Sequence, residues 1–442
     1  MSVSPFDSAL MRDLFTDRDV ATLFSDSADM RAMLVVEGML AKVQGDLGVI
    51  PTDSAGFIHR SSLEVQIDPA GLAEATGQNG VCVPALVAAF RKEMEAPEHA
   101  QYAHWGATSQ DIIDTGLALR LRQALALIEA RGDRLAQALA RLADTHADTP
   151  MVARTYGQTA NPTSFGAVAA GWGWPWLAHR DRLAALKPRL LVVTLSGAAG
   201  TGAALGPQAA DTRAALAEAL KLADPGRSVH ATRDHVAELA GWLTLVAGSP
   251  GKMGEDLMAM AQSDVGEVRF AGAGESSTMP QKQNPVGASV LIALARQVQA
   301  LNGAMQGAAL HRQQRDGAAW FTEWRSLPAM VMGVGKGLSI AADLAETLEP
   351  QAEVMAARLN DPLGLIHAEA LSFALAAHMP RPEAQAVVKA ACKEALATGT
   401  PLLDLLDAAH PGAELARVTE PAQAMGMAPS EARAFAQAVA GD

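Results

Sequence analysis

The stretch ESSTMPQKQNP, residues 275–285, brings together Ser276, Ser277, Thr278, Lys282 and Asn284, broken by two prolines, with Gly272 and Gly274 just before it. Glycine and proline at this density exclude the interior of a helix or strand, so the segment is a loop. One hydroxyl could be a helix cap; capping does not account for five polar side chains together. A lysine alone in a loop is ordinarily just solvated. Framed by hydroxyls and an amide, it can clamp a carboxylate when the loop closes.

A second island, YAHWGATSQDIIDTG (102–116), sets His104, Thr108, Ser109, Gln110 and Asp111 ahead of an apolar run. Thr108, Ser109 and Asp111 are good helix-start residues, and Asp114 adds negative charge to the first turn. Simple capping therefore competes with a second reading, in which the free N–H groups and hydroxyls of a helix start bind a carboxylate or phosphate. His104 alone is uninformative. A third island is ARTYGQTANPTSFG (153–166). The run LVVTLSGAAGTGAALG (191–206) has the glycines of a nucleotide-binding turn, but no alternating strand–helix pattern surrounds it. A tight turn between closely packed helices, or a loop whose N–H groups contact an anion, fits better.

These islands must be positioned by helices. Between residues 29 and 50, Met33, Leu34, Glu37, Leu40, Ala41 and Gln44 recur at spacings of three and four, and the pattern breaks at Gly48 and Pro51. Similar periodicity runs through GLALRLRQALALIEARGDRLAQALARLADTHAD, DTRAALAEALKLA, DHVAELAGWLTLVAG, KMGEDLMAMAQSDVGEV and VGASVLIALARQVQALNGAMQGAALHRQQ. Only RLLVVTL (189–195) suggests a strand. An all-α fold, a bundle of long helices, is expected, with an N-terminal region 1–110, a central region 111–355 and a C-terminal region 356–442.

Composition bounds the function. The chain has 442 residues, 49% hydrophobic and 4% aromatic, so its core must be aliphatic. A net charge of −13 argues against nucleic acid as a partner. It also means that an anionic substrate must be held by a local cluster of cations. Two cysteines without CxxC or CxxH spacing predict neither a disulfide framework nor a thiolate metal site. The N-terminus lacks a basic start followed by an apolar run, and no apolar run reaches the roughly 18 residues of a membrane span. A soluble, cytoplasmic protein with no membrane contact is expected.

Taken in order, the motifs resemble the fumarase–aspartase superfamily, cofactor-free helical lyases that add or remove groups beta to a carboxylate. SSTMPQKQNP is similar to its signature loop. HWGATSQDIIDT resembles the first substrate-binding region in the form used by the adenylosuccinate lyase branch. ARTYGQTANPTSFG resembles the second region, SGAAGTGAALG the Gly-rich stretch after it, and residues 23–51 the N-terminal helix. The resemblance runs from about residue 7 to about residue 400. Where ordinary members carry a Thr-His pair supplying or supporting a general acid, this chain has Thr155 and Tyr156. The cycloisomerase members also place an aromatic there, and residues 317–328 and 362–376 resemble theirs. The absence of the acid makes chemical sense in a lactonisation. The attacking group is the substrate's own carboxylate, with a pKa of roughly 4, so an acid at that end gains little.

The resemblance implies a tricarboxylate substrate, no cofactor or metal, and a homotetramer whose sites are shared between subunits. It implies that Ser276 moves the carbon-bound proton. Lys282 and Asn284 would hold the carboxylate that gains charge in an aci-carboxylate intermediate. Thr108 and Ser109 would grip a second carboxylate, Gln158 a third or the ring-forming one, and Arg315 would add a cation. His104 would hydrogen-bond the substrate or the second region, Tyr156 would shape the pocket floor, and Ser277 would contact substrate beside Ser276. Three departures stand out: Glu275 replaces the signature glycine, QKQ (281–283) has one cation fewer than usual, and Gln385 stands where the family's C-terminal region has a histidine. A C–N lyase of the same fold is the competing enzyme; a non-catalytic helical scaffold is the competing class.

Overall fold

The computed structural model describes residues 4–271, 274–275, 279 and 282–441. Helices dominate, and they fall where apolar residues recur at helical spacing. Helix α1 (Asp26–Asp46) begins at Ser25, whose side chain accepts the N–H of Ala28, and carries Asp26 and Asp29 in its first turn. Both features suit the positive end of a helix dipole. Its buried face (Met33, Leu34, Val36, Leu40) packs with Ile58 of α2 (Thr52–Glu64) and with Leu86 and Phe90 of α3 (Val83–Glu93). Burying each such side chain contributes about 1.5–3 kcal/mol. Helices α1 and α2 approach closely at Gly38, where a Cβ would lie 1.8 Å from the Ser62 hydroxyl oxygen.

The long helices follow: α4 (Ser109–Thr145), α5 (Phe165–Leu190), α6 (Asp234–Met260), α7 (Val286–Ala308) and α8 (Gly317–Thr347). The two periodic segments on either side of Ser249 run as one helix, α6, straight through Pro250, whose ring lacks the N–H that would bond the Val246 carbonyl. Helix α8 is apolar and long enough to cross a membrane, yet its Leu327, Met330, Val331, Val334 and Leu338 are buried inside the protein.

The chain divides into two compact units. One comprises Met1–Gly132, Leu177–Gly251 and Ala293–Ser339; the other comprises Asp133–Trp176, Lys252–Ile292 and Ile340–Asp442. The first contains the core just described. The second contains a C-terminal cluster in which α9 (Ala368–Leu375), α10 (Arg381–Thr398) and α11 (Leu402–Ala409) bury Leu371, Leu375, Val388, Leu402, Leu406 and Leu415. The chain enters that cluster through a turn pinned by Asp361, whose carboxylate accepts N–H groups of Leu363 and Leu365.

Strands are short and occur in pairs. RLLVVTL does not form one: α5 takes Arg189 and Leu190, and the rest makes only a single bridge, Val192 to Ala223. The third island, in contrast, is a hairpin. β1 (Pro150–Thr155) pairs antiparallel with β2 (Gln158–Ser164), Thr155 opposite Gln158. Tyr156 and Gly157 form the turn with φ of +53° and +72°, the left-handed pair that a two-residue hairpin of matching twist requires.

Candidate active site

In the first unit a carboxylate, Asp111, organises the start of α4. It is fully buried. Its Oδ2 accepts the N–H of Thr108 at 3.0 Å and of Gly197 at 2.9 Å; its Oδ1 accepts the N–H of Ser196 at 2.8 Å and lies 2.8 Å from His230 Nε2. One side chain thus caps the helix and ties it to the Gly-rich loop and to His230. The bond to Thr108 is the capping role expected of a residue in the first helical turn; the other three reach across more than eighty residues of chain. Because the charge of Asp111 is spent inward, Thr108 and Ser109 are left half-exposed, and their hydroxyls have no protein partner among the described residues.

Gly106 makes the approach of these segments possible. Its φ is +73°, and a Cβ there would sit 2.8 Å from the Ala204 carbonyl oxygen and from Leu205 Cδ2. His104, two residues earlier, also has a left-handed backbone, φ +63°. Its Nδ1 lies 2.6 Å from Glu37 Oε1, a carboxylate buried in the middle of α1. Burial by itself lowers the pKa of the ring, but the adjacent Glu37 carboxylate outweighs it, and the net shift is upward. Gln44, two turns further along the same face, donates to the Trp105 carbonyl at 2.8 Å. The polar residues on the buried face of α1 therefore hold the His104–Trp105 turn.

The first turn of α4 also opens a buried array. Gln110 donates to Asp114 Oδ2 (3.1 Å) and to the His230 carbonyl (3.0 Å), and accepts from Arg315 Nε (2.7 Å). Asp114 is paired with Arg233 at 2.7 Å, and Arg233 makes a two-pronged pair with Glu323 at 2.9 and 2.5 Å. Arg233 is 2% exposed; burial alone would lower its pKa, but the two carboxylates hold it above its usual value.

In the second unit, Tyr156 stands at the tip of the β1–β2 hairpin, fully exposed in this chain, with Gln158 exposed beside it. The hairpin is anchored by Arg154, which pairs through both terminal nitrogens with the buried Glu267 at 2.8 and 2.6 Å. The base of the loop first singled out is a short antiparallel ladder: Gly274 opposite Asn284, Glu275 opposite Gln283. Extended backbone accepts any residue, so the ladder admits a glutamate where the signature has glycine. Lys282 is exposed, its N–H bonded to the Met279 carbonyl at 2.9 Å, and Asn284 is half-buried just ahead of α7. Ser276 and Ser277 lie outside the described residues.

The structure thus assembles Thr108, Ser109 and Arg315 around the start of α4, with His104 tied to α1, and places Tyr156, Gln158, Lys282 and Asn284 on a hairpin tip and a loop base. Sequence reading missed Arg233, His230 and Glu323. Each is a single polar residue joined to partners about ninety or more positions away, so no local spacing marks it. Among the described residues no three His, Cys, Asp or Glu side chains converge to hold a metal ion.

Comparison with known proteins bears on this geometry. A family described as Lyase matches residues 11–300. The 3-carboxy-cis,cis-muconate cycloisomerase of Pseudomonas aeruginosa is 40% identical over 94% of this chain and 93% of its own length. The nitrosuccinate lyase of Streptomyces davaonensis is 35% identical over 96% and 93%. The crystal structure of the 3-carboxy-cis,cis-muconate lactonizing enzyme from Pseudomonas putida superposes with a TM-score of 0.90 at 38% identity, covering 98% of this chain and all of that one.

Proposed function

The chain belongs to the fumarase–aspartase superfamily of helical lyases, and we propose that within it the protein is a 3-carboxy-cis,cis-muconate cycloisomerase, a step in the breakdown of aromatic acids. The observation that carries this reading is full-length likeness: relatives bearing that name are 36–40% identical over 87% or more of this chain. Tyr156 in place of the superfamily's acid points the same way.

In the reaction a carboxylate oxygen of the substrate forms a bond to a carbon of the conjugated diene. The displaced π electrons move onto the neighbouring carbon and its carboxylate, and a proton added to that carbon then gives the lactone product, 4-carboxymuconolactone. The ionised nucleophile needs no base, so the protein's task is to fold the substrate, stabilise charge and deliver one proton. Ser276 delivers that proton. Lys282 and Asn284 hold the carboxylate that gains charge, donors aimed at developing negative charge as in an oxyanion hole. Thr108 and Ser109 bind a second carboxylate, while Gln158 and Arg315 hold the third. Ser277 contacts substrate beside Ser276, His104 braces the site through Glu37, and Tyr156 forms a wall. No cofactor enters this scheme. The protein works as a cytoplasmic homotetramer with sites shared between subunits, and Leu245 and Phe321, 52% and 41% exposed on long helices, support association. Residues 1–110, 111–355 and 356–442 are its N-terminal, central and C-terminal regions.

The test is loss of diene absorbance when purified protein meets 3-carboxy-cis,cis-muconate, with Ser276→Ala alongside. Turnover by wild type and its loss in the variant support the reading. Absence of turnover, with fumarate released from adenylosuccinate instead, identifies a C–N lyase of the same fold. Inertness toward both identifies a scaffold.

A further inference from the structure

We propose that Gln110 is a positioning residue that orients the Arg315 guanidinium, without neutralising it, so that Arg315 takes one substrate carboxylate. The inference deepens the reading above and rests on it, since it takes the ligand to be a polycarboxylate.

The orientation of the Gln110 amide is dictated by its partners. Its nitrogen faces the Asp114 carboxylate and the His230 carbonyl, both pure acceptors, and its oxygen faces Arg315 Nε, a pure donor. Turning the amide over would set an oxygen against two oxygens and an NH2 against a guanidinium. The amide is fully buried and cannot exchange these partners for solvent. Asp114, which holds the amide nitrogen, is itself fixed by Arg233 and by the Trp320 Nε1 donor at 3.3 Å, and Arg233 is clamped by Glu323. A rigid array drawn from α4, α8 and the residue just ahead of α6 therefore ends in a single outward acceptor, Gln110 Oε1.

Arg315 lies in the segment between α7 and α8 and is half-buried. Its Nε is spent on Gln110, whereas a terminal nitrogen is buried without a protein partner among the described residues. A buried donor left unmade is costly, so this one suits a group that completes its bonding with a ligand acceptor. The neutrality of the partner matters. Asp114 and Glu323 both pair with Arg233; Arg315 alone in this array is met by an uncharged carboxamide. A glutamate at position 110 would still accept from Arg315 but would cancel its charge, and would turn its second oxygen on the Asp114 carboxylate and the His230 carbonyl. Glutamine sets the direction of the fork and leaves the full charge for a carboxylate, which guanidinium binds through parallel N–H bonds.

The experiment measures kcat and KM for 3-carboxy-cis,cis-muconate, and calorimetric binding of propane-1,2,3-tricarboxylate, in wild type, Gln110→Glu, Gln110→Met, Arg315→Met and the double variant Gln110→Met/Arg315→Met. Thermal unfolding and size are checked for each. Each single variant is expected to raise KM and weaken tricarboxylate binding by about ten-fold or more, with kcat changed much less. The double variant is expected to be no worse than Arg315→Met, because Gln110 acts through Arg315. Should Gln110→Met fail to fold, Gln110→Glu and Arg315→Met carry the comparison. Additive losses in the double variant, or native binding by Gln110→Glu, overturn the proposal. Tricarboxylate binding that responds to these variants in a protein with no muconate turnover refutes the assigned reaction and leaves the role of Gln110 standing. No tricarboxylate binding by wild type overturns both.

Discussion

Replacing Asp111 by asparagine keeps the shape of the side chain and removes one acceptor and one charge from the centre of the cradle. Two orientations are open to the new amide. If its nitrogen replaces Oδ2, the N–H groups of Thr108 and Gly197 both face a donor. If it replaces Oδ1, the Ser196 N–H is stranded, and a His230 ring that switches tautomer to accept carries its proton on Nδ1, which is buried without a partner among the described residues. Either orientation therefore strands two buried donors. Each costs about 1–3 kcal/mol, and the remaining bonds lose their charge assistance, worth about 1 kcal/mol more between them. The expected destabilisation is about 3–7 kcal/mol, read from urea unfolding at fixed protein concentration, since association also contributes to apparent stability. Because the same carboxylate joins the helix start to the Gly-rich loop, KM should rise as well, by about ten-fold. A variant within about 0.5 kcal/mol of wild type and with native KM would refute the claim that this carboxylate organises the site.

Three further outcomes follow from the geometry. Gly106→Ala must place a Cβ against a backbone oxygen at a left-handed φ, and should lose about 2–3 kcal/mol in urea unfolding; a neutral effect would mean that the loops do not meet as described. His104 has a raised pKa in the folded state, so its contribution to stability is fully present below its unfolded pKa of about 6.5 and is lost as pH rises through the folded value. Unfolding free energy measured from mildly acidic to alkaline pH should therefore fall more steeply in wild type than in Glu37→Gln, and parallel profiles would contradict the pairing. Lys282→Met should lower kcat by about 10²-fold or more, as loss of a donor to developing charge does, while leaving urea stability within about 0.5 kcal/mol because the side chain is exposed; an unchanged kcat would remove Lys282 from the mechanism.

Helical periodicity was enough to read the architecture, because apolar faces such as Met33, Leu34, Leu40 and Ala41 must be buried whatever else the chain does. The same face carried Glu37 and Gln44, and their partners, His104 and the Trp105 carbonyl, lie more than sixty residues away; no local pattern encodes such a match. The β1–β2 hairpin has no clear sequence signal because its strands are short, β2 is mostly polar, and Tyr156–Gly157 is a weak turn signal beside Asn-Gly or Asp-Gly. Pro250 would ordinarily mark a helix end, yet α6 continues through it, since packing of a buried helix outweighs one lost hydrogen bond. Asp111 was legible as a capping residue. Its links to Ser196, Gly197 and His230 depend on tertiary proximity and were not. Glu275 departs from the glycine signature, and its place in an extended ladder opposite Gln283 makes no demand for glycine on the backbone.

The central claim is that this chain closes a lactone by adding a substrate carboxylate across a carbon–carbon double bond. Proton NMR of the product formed from 3-carboxy-cis,cis-muconate in D2O tests it most directly. The account predicts 4-carboxymuconolactone carrying one solvent-derived deuterium on the carbon next to the newly oxygenated one. Unchanged substrate, or a product without a lactone ring, would contradict it.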